Sequence, residues 1–170
     1  TFQGLPYRMS LRDQIGALRR VQEQQGIEGV DADVDVIACA SRQGVACVEV
    51  LFIRGGRSVG TRSFFPRLAD DAEPDSVLAA FVPQHYPDGE VPAEIVLSHA
   101  VPDQELLETA LAEVSGHKVR LTAAVRGDRA KWLRLARTNA TLVLGRRLAT
   151  SASLRERYEA LQEALGLDSL

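Results

Sequence analysis

Positive charge is concentrated in one short stretch of this sequence, VRGDRAKWLRLARTNATLVLGRR, at residues 125–147. The stretch holds seven arginines and lysines but one carboxylate, Asp128, in a chain whose formal net charge is −3. Guanidinium and ammonium groups at helical spacing can contact the phosphates of a nucleic acid, the carboxylates of a protein partner, or only water. Composition leaves all three open. The candidate phosphate-contacting residues are Arg126, Arg129, Lys131, Arg134 and Arg137.

Three aspartates, Asp31, Asp33 and Asp35, alternate along the chain where the first strand is predicted to begin. Carboxylates so placed could hold divalent metal ions, and a pair of such ions stabilises the attacking and leaving oxygens in phosphodiester cleavage. The same pattern also fits a solvated acidic turn that leads into a strand. We favour the turn and predict no metal site here.

No other group of residues has the spacing of a catalytic or metal-binding site. Cys39 and Cys47 lie in apolar runs without a CxxC motif, so we expect two reduced core thiols. The sequence predicts no catalytic residue and no cofactor. The histidines occur singly, without metal-ligand spacing, and we expect them at the surface or at strand ends: His85, His99 and His117.

Composition indicates one ordinary soluble domain. The 170 residues are 45% hydrophobic and 25% charged, which is enough to bury a core. A pI near 5.6 argues against a protein that coats nucleic acid over its whole surface, but it allows a local basic patch. The sequence has no apolar run of membrane-spanning length and no signal-peptide pattern, so we expect a cytoplasmic protein.

Helical periodicity first appears at residues 10–25. Because the other faces of this helix are charged and its apolar stripe is narrow, we expect it to pair with a partner helix rather than to enter a core. Residues 1–9 show no periodicity and are left out of the fold, as a frayed end or the stub of a cleaved tag. The partner-binding stripe consists of Leu11, Ile15, Leu18 and Val21.

Three strands and then an alternation of helices and strands are predicted next. The strands at 34–41, 45–54 and 57–66 form an antiparallel meander joined by RQG and GG turns. A helix at 75–86, interrupted near Pro83, a strand at 94–99, a helix at 103–116 and a strand at 117–124 follow. The basic helix then begins with Asp128 as its N-cap, and a separate last helix covers 154–165.

The basic helix is predicted to place its apolar side on a sheet and its charged side in solvent. At 100° per residue, Lys131, Arg134 and Arg137 fall opposite the apolar arc. That arc consists of Trp132, Leu135, Ala136, Leu142 and Val143.

The element order β-β-β-α-β-α-β-α predicts an α/β protein with a five-stranded mixed sheet flanked by helices, as in the ribonuclease H-like fold. Nucleases of this fold carry metal-binding carboxylates in the middle of the first strand and at the end of the fourth. Here the middle of the first strand, residues 37–41, contains no acid, and the fourth strand ends Leu97-Ser98-His99. We therefore predict a nuclease-like fold without nuclease activity.

Two motifs, RGGRxxGxRSFFP at residues 54–66 and RGDRAxxLxLARTNA at 126–140, resemble the UvrC family, the incision subunits of bacterial nucleotide excision repair. The resemblance covers about residues 10–167 and implies four segments. These are an unmatched segment at 1–9, the second half of a UvrB-binding UVR hairpin at 10–28, a ribonuclease H-like domain without catalytic carboxylates at 29–150, and a C-terminal helix at 151–170.

The resemblance further implies that both nuclease domains of the family lie outside this chain, one before Thr1 and one after Leu170. The first helix of the UVR hairpin has no counterpart here, which weakens the expectation that this chain by itself binds UvrB. Damaged DNA is the implied substrate of the longer protein. For this chain we expect either a DNA-backbone contact module that positions the substrate, or a protein-interaction or self-association module without DNA contact.

Overall fold

The computed structural model describes residues 32–67 and 72–166. Asp31 and the predicted helix at 10–25, with Leu11, Ile15, Leu18 and Val21, lie outside the described residues. Within the described ranges the strands are β1 (Val34–Arg42), β2 (Val45–Arg54), β3 (Arg57–Phe64), β4 (Glu94–Leu97) and β5 (Arg120–Thr122). The helices are α1 (Pro74–His85), α2 (Gln104–Ser115) and α3 (Asp128–Ala164).

The five strands form one mixed sheet in the order β3-β2-β1-β4-β5. The first three strands pair antiparallel, whereas β4 pairs parallel to β1 and β5 parallel to β4. Antiparallel neighbours need only a tight turn, and the β2–β3 turn, Gly55-Gly56, has φ values of 58° and 78° that glycine adopts readily. Parallel neighbours require crossover helices, which α1 and α2 supply. This arrangement confirms the predicted ribonuclease H-like α/β fold.

The central strands β1, β2 and β4 are buried on both faces, with one helical layer on each, whereas the edge strand β3 is largely exposed. Ile37 and Cys39 of β1 pack with α1 and α2, and the alternate residues Val36 and Ala38 pack under α3. Successive side chains of a strand point to opposite faces, so a strand covered on both sides becomes a continuous apolar run. That is why β1 reads as VDVIACA with so few polar residues.

Helix α1 does not break where the sequence predicted an interruption. Pro83 lies inside it, and the helix continues to His85. His85, at the end of α1, is only partly exposed, because it stacks on Phe81 with ring centroids 5.1 Å apart and meets Phe64 edge-on at 5.3 Å. Burial lowers the pKa of its imidazole.

Helix α3 differs from its prediction at both ends. Gly127, and not Asp128, is the N-cap residue, and Asp128 is the first helical residue. The separate last helix is also wrong, because α3 runs without a break through Ala164. The Ser and Thr residues between 150 and 153 cost only tenths of a kcal/mol each in a helix, and neither proline nor a glycine pair interrupts the helix there. Among the described residues, no helix combines the length and the apolarity needed to cross a membrane.

The side of α3 that faces the sheet agrees with the predicted arc at Ala136 and Trp132 but not at its leucines. Its buried residues are Leu133, Ala136, Ala140 and Leu144, while Leu135 and Leu142 are 46% and 55% exposed. Trp132 packs against the edge of this cluster. Two alanines, both fully buried, let the helix axis approach the sheet closely, so the small side chains select the buried face and two large leucines remain outside.

Truncation of two leucines that lie two positions apart on α3 should separate the observed face from the predicted one. Leu133→Ala is expected to lower the free energy of unfolding by about 2–4 kcal/mol, because it opens a cavity against the sheet. Leu135→Ala removes an exposed side chain and should cost under about 1 kcal/mol. Urea unfolding followed by circular dichroism measures both, and equal losses would contradict the packing of α3.

Cys39 and Cys47 are free and buried, as predicted for reduced core thiols. Burial raises the pKa of both thiols to about 11. The charge of Cys47 contributes to the raised pKa of Cys39, and the charge of Glu49 contributes to the raised pKa of Cys47.

Alkylation of these thiols should therefore require unfolding. In the native chain at pH 8 only about one thiol in a thousand is ionised, and the side chains are shielded as well. Iodoacetamide followed by mass spectrometry should give slow labelling under native conditions and two labels per chain in denaturant. Fast native labelling would place at least one thiol outside the core.

Candidate nucleic-acid interface

The five predicted phosphate-contacting residues lie on different sides of α3. We call residues 128–147 of this helix its basic half. Arg129 and Arg137 point towards the sheet, on the arc that carries the buried alanines. Arg126, which precedes the helix, and Lys131 and Arg134, which lie on its outer side, are exposed. Arg137 is also exposed, although its guanidinium reaches the sheet, and Arg129 is partly buried. The prediction that the charged side faces solvent therefore holds for four of the five.

Arg129 forms a bidentate ion pair with Glu94 at the start of β4. Its Nε and Nη2 atoms donate to the two carboxylate oxygens at 2.6 Å each. This hydrogen bonding raises the pKa of Arg129 against the opposing effect of burial, and the charges of Glu94 and Asp128 add to it. The pair attaches the first turn of α3 to the sheet, so a phosphate would have to compete with Glu94 for this guanidinium.

Arg137 reaches the C-terminal end of β4, where its Nη2 donates to the carbonyl oxygen of Ser98. The Ser98 hydroxyl accepts from the backbone N–H of Cys39 at 3.0 Å and lies 2.7 Å from Nδ1 of His99. Burial lowers the pKa of His99, and the charge of Arg137 lowers it further, whereas the charge of Asp75 raises it. This is the end of the sheet where nucleases of the fold hold metal ions, and here a fixed cation occupies it.

The residues at this end of the sheet do not fit a metal ion. Cys39 and Ser98 stand where carboxylates would be required, and the guanidinium of Arg137 disfavours a second cation nearby. Across residues 32–67 and 72–166, no three or more His, Cys, Asp or Glu side chains group together as a metal site would require.

The acidic residues at the start of β1 are structural. Asp35 lies inside the strand and is almost fully buried, so the prediction of a solvated turn is wrong for this residue. It accepts hydrogen bonds from Arg54 at 2.8 Å and from the Tyr86 hydroxyl at 2.5 Å. Asp33 accepts from the backbone N–H of Gly55 at 3.1 Å. Both aspartates thus hold the end of the β2–β3 hairpin against β1.

Burial raises the pKa of Tyr86, and the charge of Asp35 and the hydrogen bond to it raise that pKa further. The phenol is therefore a permanent donor to Asp35. Beside this pair lies an open cleft of about 400 Å³, with arginines and carboxylates in its wall. Because positive and negative side chains both line its wall, the cleft does not favour an anion. Its lining includes Phe52, Arg54, Arg62, His85, Asp88 and Glu90.

The outer side of the basic half carries the exposed cations. Lys131 lies 3.9 Å from Asp128, an exposed pair of little strength. Among the described residues, neither Arg126 nor Arg134 forms an ion pair. The sequence pattern did not indicate the contact of Arg147, whose guanidinium lies 4.3 Å from the ring centroid of Phe65. The FFP motif at the end of β3 was the available signal, since an aromatic ring at a strand end is a common partner of arginine.

Comparison with known proteins gives the same assignment as the fold. A family model described as the UvrC ribonuclease H-like domain matches residues 33–147. UvrABC system protein C of Alkalilimnicola ehrlichii is 47% identical over 159 residues, covering 94% of this chain and 26% of that protein. The protein of the same name from Methylococcus capsulatus is 46% identical over 156 residues, covering 92% and 26%. This chain thus spans about a quarter of the length of the curated relatives it matches.

A solved structure from Bacteroides thetaiotaomicron, a protein with an actin-like ATPase fold and unknown function, aligns with a TM-score of 0.34 and 13% identity. That alignment covers 69% of this chain and 42% of the other, and at such a score it carries no argument. The family match covers most of the chain and coincides with the observed sheet, α1, α2 and the basic half of α3. The chain belongs to the UvrC ribonuclease H-like domain family.

Proposed function

We propose that this chain is a non-catalytic positioning module of a UvrABC system protein C, and that it contacts the DNA backbone through the outer side of the basic half of α3. The contacting residues are Arg126, Lys131 and Arg134. Damaged DNA and UvrB are, in this proposal, partners of the longer protein. The chain supplies orientation of the DNA, which accelerates a reaction without taking part in its chemistry.

One observation carries the proposal, namely the division of the arginines between the two sides of α3. Arg129 and Arg137 are occupied by Glu94 and by the Ser98 carbonyl. The outer cations stand on a helix segment whose only carboxylate is Asp128. A phosphate can therefore approach Arg134 without breaking an ion pair, and at Lys131 it competes only with the weak exposed pair to Asp128.

The assignment of a non-catalytic role rests on the residues at the C-terminal end of β4. Two-metal cleavage of a phosphodiester requires carboxylates that hold both ions. Ser98, Cys39 and Arg137 supply none, so the chemistry of the longer protein belongs in this proposal to other domains.

Charge reversal on the outer side of α3 tests the DNA contact. Wild-type chain binding a fluorescent duplex should show a log–log salt dependence with a slope of about −2 to −3, as expected for three phosphate contacts. The double variant Lys131→Glu and Arg134→Glu should lose most of its affinity at ~50 mM salt and reduce the slope by about 2. Fluorescence anisotropy at several salt concentrations measures both.

A matched control changes the net charge by the same amount elsewhere on the same helix. Arg155→Glu with Arg157→Glu should retain DNA binding. The DNA contact is refuted by equal losses in the two double variants, or by a wild-type chain that does not bind at ~50 mM salt.

The non-catalytic role predicts that the chain does not cut DNA. Incubation with supercoiled plasmid and Mg²⁺ or Mn²⁺ should leave the plasmid intact, because the described residues at the C-terminal end of β4 offer no carboxylate pair to hold the ions. Gel electrophoresis beside a commercial nuclease measures this. Metal-dependent nicking that stays with the chain through a second purification step would overturn the assignment.

A further inference from the structure

The second half of α3, residues 148–164, is exposed along its whole described length from residue 151 onwards. We call it the distal half. Large apolar side chains on it and at its end are each more than half exposed, although this side of the helix could have carried polar residues. They are Leu154, Tyr158, Leu161 and Leu165.

These four side chains form one straight stripe. Their spacing of four, three and four residues places them within about 60° of arc on a helix of 100° per residue. The same winding aligns them with Leu133, Ala136, Ala140 and Leu144, which pack on the sheet. The face of α3 that is buried in its basic half therefore continues past the sheet, and the transition lies where Arg147 stacks on Phe65.

The stripe has no role inside the described part of the chain. A helix of this length is marginal by itself in water, and four exposed apolar residues on one side add nothing to its stability unless they are covered. Spacing that alternates between three and four residues is the pattern by which one helix packs against another, because it keeps the apolar seam facing the partner. The covering element is therefore a helix.

The charges beside the stripe define the chemistry of that helix. Arg155 and Arg157 flank it on its two sides, whereas Glu156 and Glu163 lie on the far side of α3. Arg155 is 4.0 Å from Glu159, an exposed pair that a better-placed carboxylate can replace. A second copy of the distal half has no carboxylate at the positions that flank its own stripe, so it would leave Arg155 and Arg157 without an opposite charge. DNA would neutralise the arginines, but it would leave the leucines exposed to water.

We propose that the distal half of α3 docks an amphipathic helix whose apolar seam is flanked by glutamates or aspartates. Leu154, Tyr158 and Leu161 supply the buried seam, and Arg155 and Arg157 pair with the flanking carboxylates. This surface is separate from the basic half, so the inference does not depend on the proposed DNA contact. It makes α3 a helix with a sheet-packed half and a partner-binding half.

Two synthetic peptides with the same leucine and isoleucine seam test the proposal, each roughly four heptads long. One carries glutamates at the flanking positions, and the other carries lysines. The 170-residue chain should bind the glutamate peptide at least about tenfold tighter, because complementary flanking charges select the partner of a helix pair. Fluorescence anisotropy of labelled peptides measures the affinities.

Variants of the chain separate the seam from the flanks. Leu154→Ala with Leu161→Ala keeps the helix, since alanine is the best helix former, and should weaken binding about tenfold or more. Arg155→Glu with Arg157→Glu should reverse the preference towards the lysine peptide. The matched control on the far side, Glu156→Ala with Glu163→Ala, should change neither affinity. Circular dichroism verifies that helix content is equal in all variants.

Three outcomes would overturn the proposal. The first is that the chain binds neither peptide, or binds both equally. The second is a concentration-dependent dimer in analytical ultracentrifugation that Leu154→Ala with Leu161→Ala abolishes, which would make a second copy the occupant. The third is binding of duplex DNA that is lost in Arg155→Glu with Arg157→Glu, which would make the distal half a phosphate contact.

Discussion

The close approach of α3 to the sheet is the constraint on which the other features depend. Ala136 and Ala140 are fully buried against β1 and β2, and no larger side chain would let the helix axis come so near. Because this face packs on the sheet, it fixes which charged side chains of the basic half point towards the sheet and which point to solvent. Arg129 and Arg137 point inwards to Glu94 and Ser98, and Lys131 and Arg134 point to solvent.

The end of the sheet that serves catalysis in nucleases of this fold has a different electrostatic character here. A metal centre concentrates carboxylates around cations, and this domain has placed the guanidinium of Arg137 there, on a backbone carbonyl. Ser98 and His99 complete a hydrogen-bonded group that needs no ion. The packing of the fold survives because it depends on alternating apolar residues and crossover helices, and neither of these requires the acids.

The length of α3 connects two surfaces of different chemistry. At 1.5 Å per residue its 37 residues extend about 55 Å, which is well beyond the width of the sheet that it covers. The stacking of Arg147 on Phe65 marks the edge of the packed region. If both proposed partners bind, a rigid helix with exposed cations at one end and an apolar seam at the other would hold them at a fixed separation.

The sequence by itself determined the order and type of the five strands and of the two helices between them, the two hairpins of the meander and the absence of acids at two strand positions. These are local properties, because alternation, turn residues such as Gly55 and residue identity can be read without knowing what packs where. Only the tertiary structure decided which side of α3 is buried. Leucines lie on both sides of this helix, and the side with the small alanines is buried because it fits closely against the sheet. It also decided the role of Asp35, whose partners Arg54 and Tyr86 are 19 and 51 residues away along the chain. Contacts at such separations exist only after the chain has folded, and so no local pattern records them.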